Sequence, residues 1–373
     1  MTEDEIRIDR EIPVCFPSEM EEGMAPEERV KCLPKPLISW YRKEKRNLPW
    51  RKEATAYHVW VSEIMLQQTQ VDTVKPYYER FIEALPTVED LAGADEQRVF
   101  KLWEGLGYYR RASHLKEAAS MIVNEYHGRF PETYEELLKL KGVGMYTASA
   151  IASIAFGIPR RCGRHTLRIV ARLFNREDNI ALQKTKNAFG EIMDAMIRYA
   201  EPSDFNQGMM DLGAMICTPS KPSCDECPVA SLCQSRECQT VLRLPVNNKV
   251  VNKSILEYMT VVIRDGDRYF MVQNEQGLLQ HLYGFAQYGC DMPSEFEKAF
   301  YDDYGVKIRL TQYISDIKHV FTHREWRMHV YGGEVVGPAT RPMRDFYRLE
   351  EIEQLPVSTA HLKVLKAYLK VLQ

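Results

Sequence analysis

Four cysteines, Cys217, Cys224, Cys227 and Cys233, follow the spacing C-x6-C-x2-C-x5-C within one short loop. Four thiolates brought so close along the chain suit a single soft-metal centre, either zinc or an iron–sulfur cluster. Zinc sites usually carry two C-x2-C hooks separated by a longer stretch. Only one such hook exists here, with the outer cysteines six and five residues away, which favours an iron–sulfur cubane held by the loop. The other five cysteines (15, 32, 162, 238 and 290) have no evident partners. That usage fits a reducing compartment better than a disulfide framework.

The chain has 373 residues, too many for one ordinary core, so two or three domains are expected. No uninterrupted apolar stretch approaches bilayer length and the N-terminus is acidic, which argues against a membrane span or a secretion signal. Residues 1–31 hold ten Asp/Glu and four Lys/Arg, a local net of −6, against +3 for the remainder. Residues 1–33 are therefore expected to form an acidic, disordered tail. The mildly basic body permits a nucleic-acid partner without establishing one.

From about 34 to 235 the apolar residues recur with helical period, as at Tyr57, Trp60, Val61, Ile64 and Met65. Further helices are expected near 88–104, 110–126, 134–140, 145–156, 165–174 and 186–199. Residues 236–254 are polar and read as a linker. From 255 to 373 the pattern turns to strands around the turn Asp265-Gly266-Asp267, closing with an amphipathic helix over 359–372, an α+β domain.

Within the helical domain, Gly142, Val143 and Gly144 sit in a tight turn between two helices. Such a turn can aim backbone N–H groups at a phosphate, although an ordinary αα-turn looks the same. Glu63 is the only charged residue between His58 and Gln70. If that helix is buried, its carboxyl loses hydration and its pKa rises toward neutrality, as a general acid requires. The alternative is a solvent-facing glutamate on an amphipathic helix.

Several ordered motifs carry a family resemblance: LPWR (48–51), VWVSEIMLQQTQV (59–71), WEGLGYYRRA (103–112), LKGVGMYTASAI (140–151), FNQGMMDLGAMICT (205–218), the cysteine loop, GLLQHLYGF (277–285), HVFTH (319–323) and LPVS (355–358). Over residues 34–373 the chain resembles the adenine DNA glycosylases of the MutY family, in the helix–hairpin–helix superfamily. The resemblance implies an all-α helix–hairpin–helix glycosylase domain with a 4Fe-4S loop, followed by a Nudix-like α+β domain. It implies removal of adenine mispaired with 8-oxoguanine or guanine in double-stranded DNA, without strand cleavage. Glu63 matches the acid that protonates the adenine ring. Tyr146 stands where strand-cutting relatives carry a lysine nucleophile. Trp50, Arg51, Leu66 and Gln207 match positions lining the adenine pocket, and Gln67, Gln68 and Tyr108 match positions that enter the opened duplex. Cys217, Cys224, Cys227 and Cys233 match the cluster ligands. A monomer inside the cell is expected, cytoplasmic if bacterial and nuclear or mitochondrial if eukaryotic.

The pattern breaks at one point. Family members place an aspartate in a V-D-G-N-like segment, whereas this chain has Cys162-Gly163-Arg164-His165. Gly163 takes the position of the aspartate and His165 that of the asparagine, and no Asp or Glu occurs between Lys141 and Arg176. The missing anion would stabilise the oxocarbenium-like sugar left by departing adenine. Losing one such electrostatic contact commonly costs about 3–4 kcal/mol of barrier. A lesion-binding protein without turnover is therefore the competing expectation.

In the second domain, residues 296–305 lack the glutamate-rich core that holds magnesium in Nudix hydrolases, so pyrophosphate hydrolysis is not expected. Phe321, Thr322 and His323 match the F-S-H loop by which the family reads 8-oxoguanine, with threonine keeping the serine hydroxyl.

Overall fold

Residues 56–66 carry apolar side chains around the whole circumference of a helix, which only a buried position can accommodate. The computed structural model describes residues 25–163, 166–248, 254–277, 279–321, 324–337 and 345–372. The helices in chain order are α1 (Pro26–Cys32), α2 (Pro34–Glu44), α3 (Ala56–Leu66), α4 (Val71–Ala84), α5 (Val88–Gly93), α6 (Glu96–Trp103), α7 (Arg110–Tyr126), α8 (Tyr134–Leu137), α9 (Met145–Phe156), α10 (Thr166–Leu173), α11 (Gln183–Ile197), α12 (Pro202–Asp211), α13 (Gln234–Glu237), α14 (Pro293–Tyr304), α15 (Leu349–Ile352) and α16 (Thr359–Leu372). The strands are β1 (Ser254–Asp265), β2 (Arg268–Phe270), β3 (Val272–Gln273), β4 (Tyr283–Gly284), β5 (Ala286–Tyr288), β6 (Ile308–Val320), β7 (Arg324–Val335) and β8 (Phe346–Tyr347). His165, Arg164, Thr322 and His323 lie outside the described residues.

Two compact units divide the chain. One joins the residues up to Val71 with 121–249, and the other joins 72–120 with 250–373. In the first unit, α3 begins where the Thr55 hydroxyl accepts a hydrogen bond from the His58 N–H at 3.3 Å. It packs against α9, whose alanines and serines let the two backbones approach. Gly157, at φ +68°, ends α9 in the left-handed conformation.

Two parts of the sequence reading need correction here. Residues 26–33 belong to no tail. Residues Pro26–Cys32 form α1, and Val30 and the following Leu33 join the core of Leu37, Phe189 and Phe205. Acidic composition hid two apolar anchors that pay for ordering the helix. Likewise, residues 236–248 are no free linker. Leu244 is buried, and the Val246 carbonyl accepts the Ile180 N–H at 2.9 Å.

In the second unit a mixed sheet runs β6-β7-β1-β2-β8, with β5 also on β1. β1 and β7 are parallel, and the β1–β2 hairpin turns at Gly266, φ +62°. Phe270, Phe296, Phe300 and Phe346 fill its core. Residues 72–120 join this unit, with the Phe100 ring stacked on His281 at 5.4 Å between centroids.

Candidate active site and cluster loop

Helix α3 delivers Glu63 into the interior, where the residue is 5% exposed. Burial pushes its carboxyl up to about 7, while a hydrogen bond from the Tyr146 side chain and the charge of Arg51 pull it part of the way back. Glu63 lines one cleft with Trp50, Arg51, Leu66 and Gln207, so three separate stretches of the chain converge. Gln207 is held from α12 by a hydrogen bond from its Nε2 to Ser203 Oγ at 3.0 Å.

Asp211 is the site residue that the sequence reading missed. Its side chain is fully buried, and Arg51 reaches it with Nη1 at 2.8 Å and Nη2 at 3.0 Å. Arg46 adds its Nε at 2.7 Å and its backbone N–H at 3.1 Å. Burial raises the Asp211 carboxyl, but the Arg51 and Arg46 contacts outweigh that and hold it below the usual carboxylate range. Its oxygens are thus committed to two arginines. The signal was available: Asp211 is the only acid in the motif FNQGMMDLGAMICT.

Gly163 stands at φ +115°, and a Cβ placed there would lie 2.9 Å from the Thr166 methyl carbon. The Thr166 hydroxyl also donates to the Gly163 carbonyl at 2.5 Å. A side chain at position 163 would therefore need both a strained dihedral and a shift of Thr166. The preceding segment is clamped by Asn206 on α12, whose Oδ1 accepts the Cys162 N–H at 2.8 Å and whose Nδ2 donates to the Arg160 carbonyl at 2.8 Å. Arg160 pairs with Glu135 at 3.2 Å over the Tyr134 ring, and Arg161 pairs with Asp194.

The Gly142–Gly144 turn leads into α9, with Gly142 at φ +73° and Gly144 as the N-cap. Val143 is buried, so its side chain anchors the turn. Gln68 and Tyr108 are exposed non-glycine residues at φ +60° and +52°. Backbone strain of this kind persists where the surroundings over-determine it. Gln67 ends α3 and donates from Nε2 to Thr147 Oγ1 at 3.4 Å. Phe321 sits at the end of β6, its ring 4.6 Å from His319 and 5.0 Å from Trp326.

All four cysteines of the loop line one cavity with Ile169, Leu173 and other apolar side chains. A π-helical turn, Leu212–Ile216, continues α12 and delivers Cys217. Four thiols converging on one apolar cavity are the donor set of a soft-metal centre. Arg172 is 1% exposed and spends its hydrogen bonds on the carbonyls of Leu244, Thr218 and Pro219, with Nη1 3.3 Å from Cys217 Sγ. A guanidinium so buried needs counter-charge, and thiolates on a metal cluster supply it. Arg168 bonds the Cys217 carbonyl at 2.9 Å, and Arg29 of α1 bonds that of Leu232. The residues fit an iron–sulfur group.

Comparison with known proteins bears on both sites. Residues 61–195 match the HhH-GPD superfamily of base excision DNA repair proteins, and 258–367 match the NUDIX domain. An adenine DNA glycosylase of Rattus norvegicus is 34% identical, the alignment covering 89% of this chain and 77% of that one. The chain belongs to the adenine DNA glycosylase family. A family member from Homo sapiens is 45% identical over 54% of this chain, and this chain spans 39% of its length. A solved thermostable thymine-DNA glycosylase superposes with a TM-score of 0.53 at 29% identity, covering 58% of this chain and all of that one. Residues 217–233, the span that holds Cys217, Cys224, Cys227 and Cys233, match the iron–sulfur binding domain of endonuclease III, and the chain carries an iron–sulfur cluster. Cys217, Cys224, Cys227 and Cys233 would hold the cluster, which would crosslink the loop through metal–thiolate bonds. Among the described residues, no helix is long and apolar enough to cross a membrane.

Proposed function

We propose that this chain excises adenine mispaired with 8-oxoguanine or guanine in duplex DNA, by hydrolysis of the N-glycosidic bond. The observation that carries the reading is Glu63: a buried carboxyl whose pKa lies near 7, in the cleft shared with Trp50, Arg51, Leu66 and Gln207. At neutral pH a large share of Glu63 is protonated. Its proton passes to a ring nitrogen of an extruded adenine, the bond from the sugar C1′ to the base breaks, and the electron pair leaves with the base. Water then adds to C1′, and the Glu63 carboxylate recovers a proton from it. The Tyr146 hydroxyl, bonded to Glu63, orients the carboxyl and offers no amine for Schiff-base strand cleavage. The asparagine's position is taken by His165. Gly142, Val143 and Gly144 would hold a DNA phosphate through backbone N–H groups, while Gln67, Gln68 and Tyr108 would occupy the opened duplex. The lesion strand would be read by Phe321, with Thr322 and His323.

A second reading has its own support. Among the described residues Glu63 is the only carboxylate lining the cleft, and Gly163 supplies none. On that reading the chain binds the mispair without turning it over. Single-turnover adenine release from an 8-oxoguanine:adenine duplex separates the two. Release well above that of a Glu63→Gln variant supports the glycosylase, and release no faster than that variant leaves the binder.

A further inference from the structure

We propose that the Lys101–Glu104 pair couples the Tyr108 loop to the strand end that carries Phe321, so that contacts made by Phe321 bias the position of Tyr108. Its use in lesion recognition rests on the function proposed above. The coupling itself rests on geometry within the second unit.

Lys101 and Glu104 face each other at the end of α6, Nζ to Oε2 at 2.7 Å. Both also bind one backbone stretch of the C-terminal segment. Lys101 Nζ donates to the carbonyls of Glu353 and Leu355, the latter at 3.3 Å, and Glu104 Oε1 accepts the Val357 N–H at 3.0 Å. A half-buried i,i+3 pair of this kind would be worth little by itself. This one is a clamp, because each member is bonded to main chain remote in sequence.

On one side of the clamp lies the loop 104–109. It is internally braced: Trp103 Nε1 donates to the Gly107 carbonyl at 3.2 Å, the Gly105 N–H to Tyr109 Oη at 3.0 Å, and Arg111 Nη2 to the Gly107 carbonyl at 3.0 Å. Gly105, at φ +97°, has no room for a Cβ, which would meet the Tyr77 hydroxyl at 2.2 Å. A loop so braced moves as one body, and Tyr108 rides on it.

On the other side, Val357 bridges Tyr283, and the next residue, Ser358, accepts the His361 N–H on its Oγ at 3.3 Å at the start of α16. α16 packs on β6, the strand that carries His319. The His319 ring touches Phe321, which touches Trp326. His319 Nδ1 and Trp326 Nε1 are buried with no hydrogen-bond partner among the described residues. Rings in close packing pass a displacement of the strand end from one to the next.

Amide hydrogen exchange on the DNA-free chain tests the coupling directly. Glu104→Ala should speed exchange at 105–109, at 353–361 and also at 317–321. A change confined to 105–109 and 353–357 overturns the proposal. Glu104→Gln keeps an acceptor for the Val357 N–H and should restore slow exchange at 317–321, which a general loss of packing would not predict. A binding arm uses duplexes with 8-oxoguanine or guanine opposite a non-hydrolysable adenine analogue. Glu104→Ala and Phe321→Ala should each lower the preference for 8-oxoguanine about fivefold, and the double variant no further than the larger single effect. Multiplying effects mean independent residues and sink the coupling. If Phe321→Ala leaves the preference intact, the lesion-reading role fails, and the exchange arm still decides the coupling.

Discussion

Arg51 and Asp211 form a two-toothed ion pair, Nη1 to Oδ2 at 2.8 Å and Nη2 to Oδ1 at 3.0 Å, around a carboxylate with no solvent exposure. Breaking a buried pair by neutralising one partner strands the other, at about 3–5 kcal/mol. Asp211→Asn should lower the unfolding free energy by that amount and loosen Arg51 in the cleft. Chemical denaturation checks it, and a loss under about 1 kcal/mol would mean that water already reaches the pair.

Glu63 titrates in the folded chain near 7, against 4.5 for an ordinary glutamate. The folded state therefore holds a proton that the unfolded state has released between those two values. Stability from this group is fully present below pH 4.5 and is lost as pH rises through about 7. The shift amounts to about 3 kcal/mol. Glu63→Gln should gain that much relative to the wild type between pH 4.5 and 8, read by denaturant titration across pH. Adenine release should fall above pH 7 and drop about 10²–10⁴-fold in the variant at neutral pH. A flat difference in stability across pH would remove the raised pKa.

Gly163→Asp is expected to fail as a repair. At φ +115° a side chain is strained, and its Cβ would press on Thr166. The cost should be about 1–3 kcal/mol with no gain in adenine release. Replacing Thr166 by serine removes the methyl but not the strained dihedral, so the double variant should recover only part. A fully stable, faster Gly163→Asp variant would show that the backbone readily turns to accept the aspartate.

Removing iron should cost more than the cluster's own bonds. Without thiolate charge beside it, the buried Arg172 keeps only carbonyl partners, a loss of about 3–5 kcal/mol. The visible absorption band of the cluster should bleach together with a fall in melting temperature. Arg172→Met should stabilise the iron-free chain relative to its iron-free parent. If Arg172→Met destabilises both forms equally, the arginine is a packing element rather than a counter-charge.

Much of this architecture was legible in the sequence for local reasons. Helix α3 is apolar on all sides, so its one acid had to be buried or the helix exposed, and the helical periodicity of the neighbouring runs favoured burial. The cysteine spacing likewise confined four thiols to one loop. Asp211 was hidden because its partners, Arg46 and Arg51, lie some 160 residues earlier in the chain. The helix α1 was hidden because charge dominates its composition, while Val30 and Leu33 decide its burial.

Residue order alone therefore determined the helical and α+β segments, the cysteine loop, the lone acid of α3 at position 63 and the glycine at position 163, since each is read from neighbours a few residues away. Tertiary structure alone decided the left-handed backbone that closes position 163 to a side chain, the paired arginines on Asp211, and the attachment of residues 72–120 to the C-terminal sheet domain. Those depend on groups that meet only after the chain has folded back on itself, and no local spacing encodes such meetings.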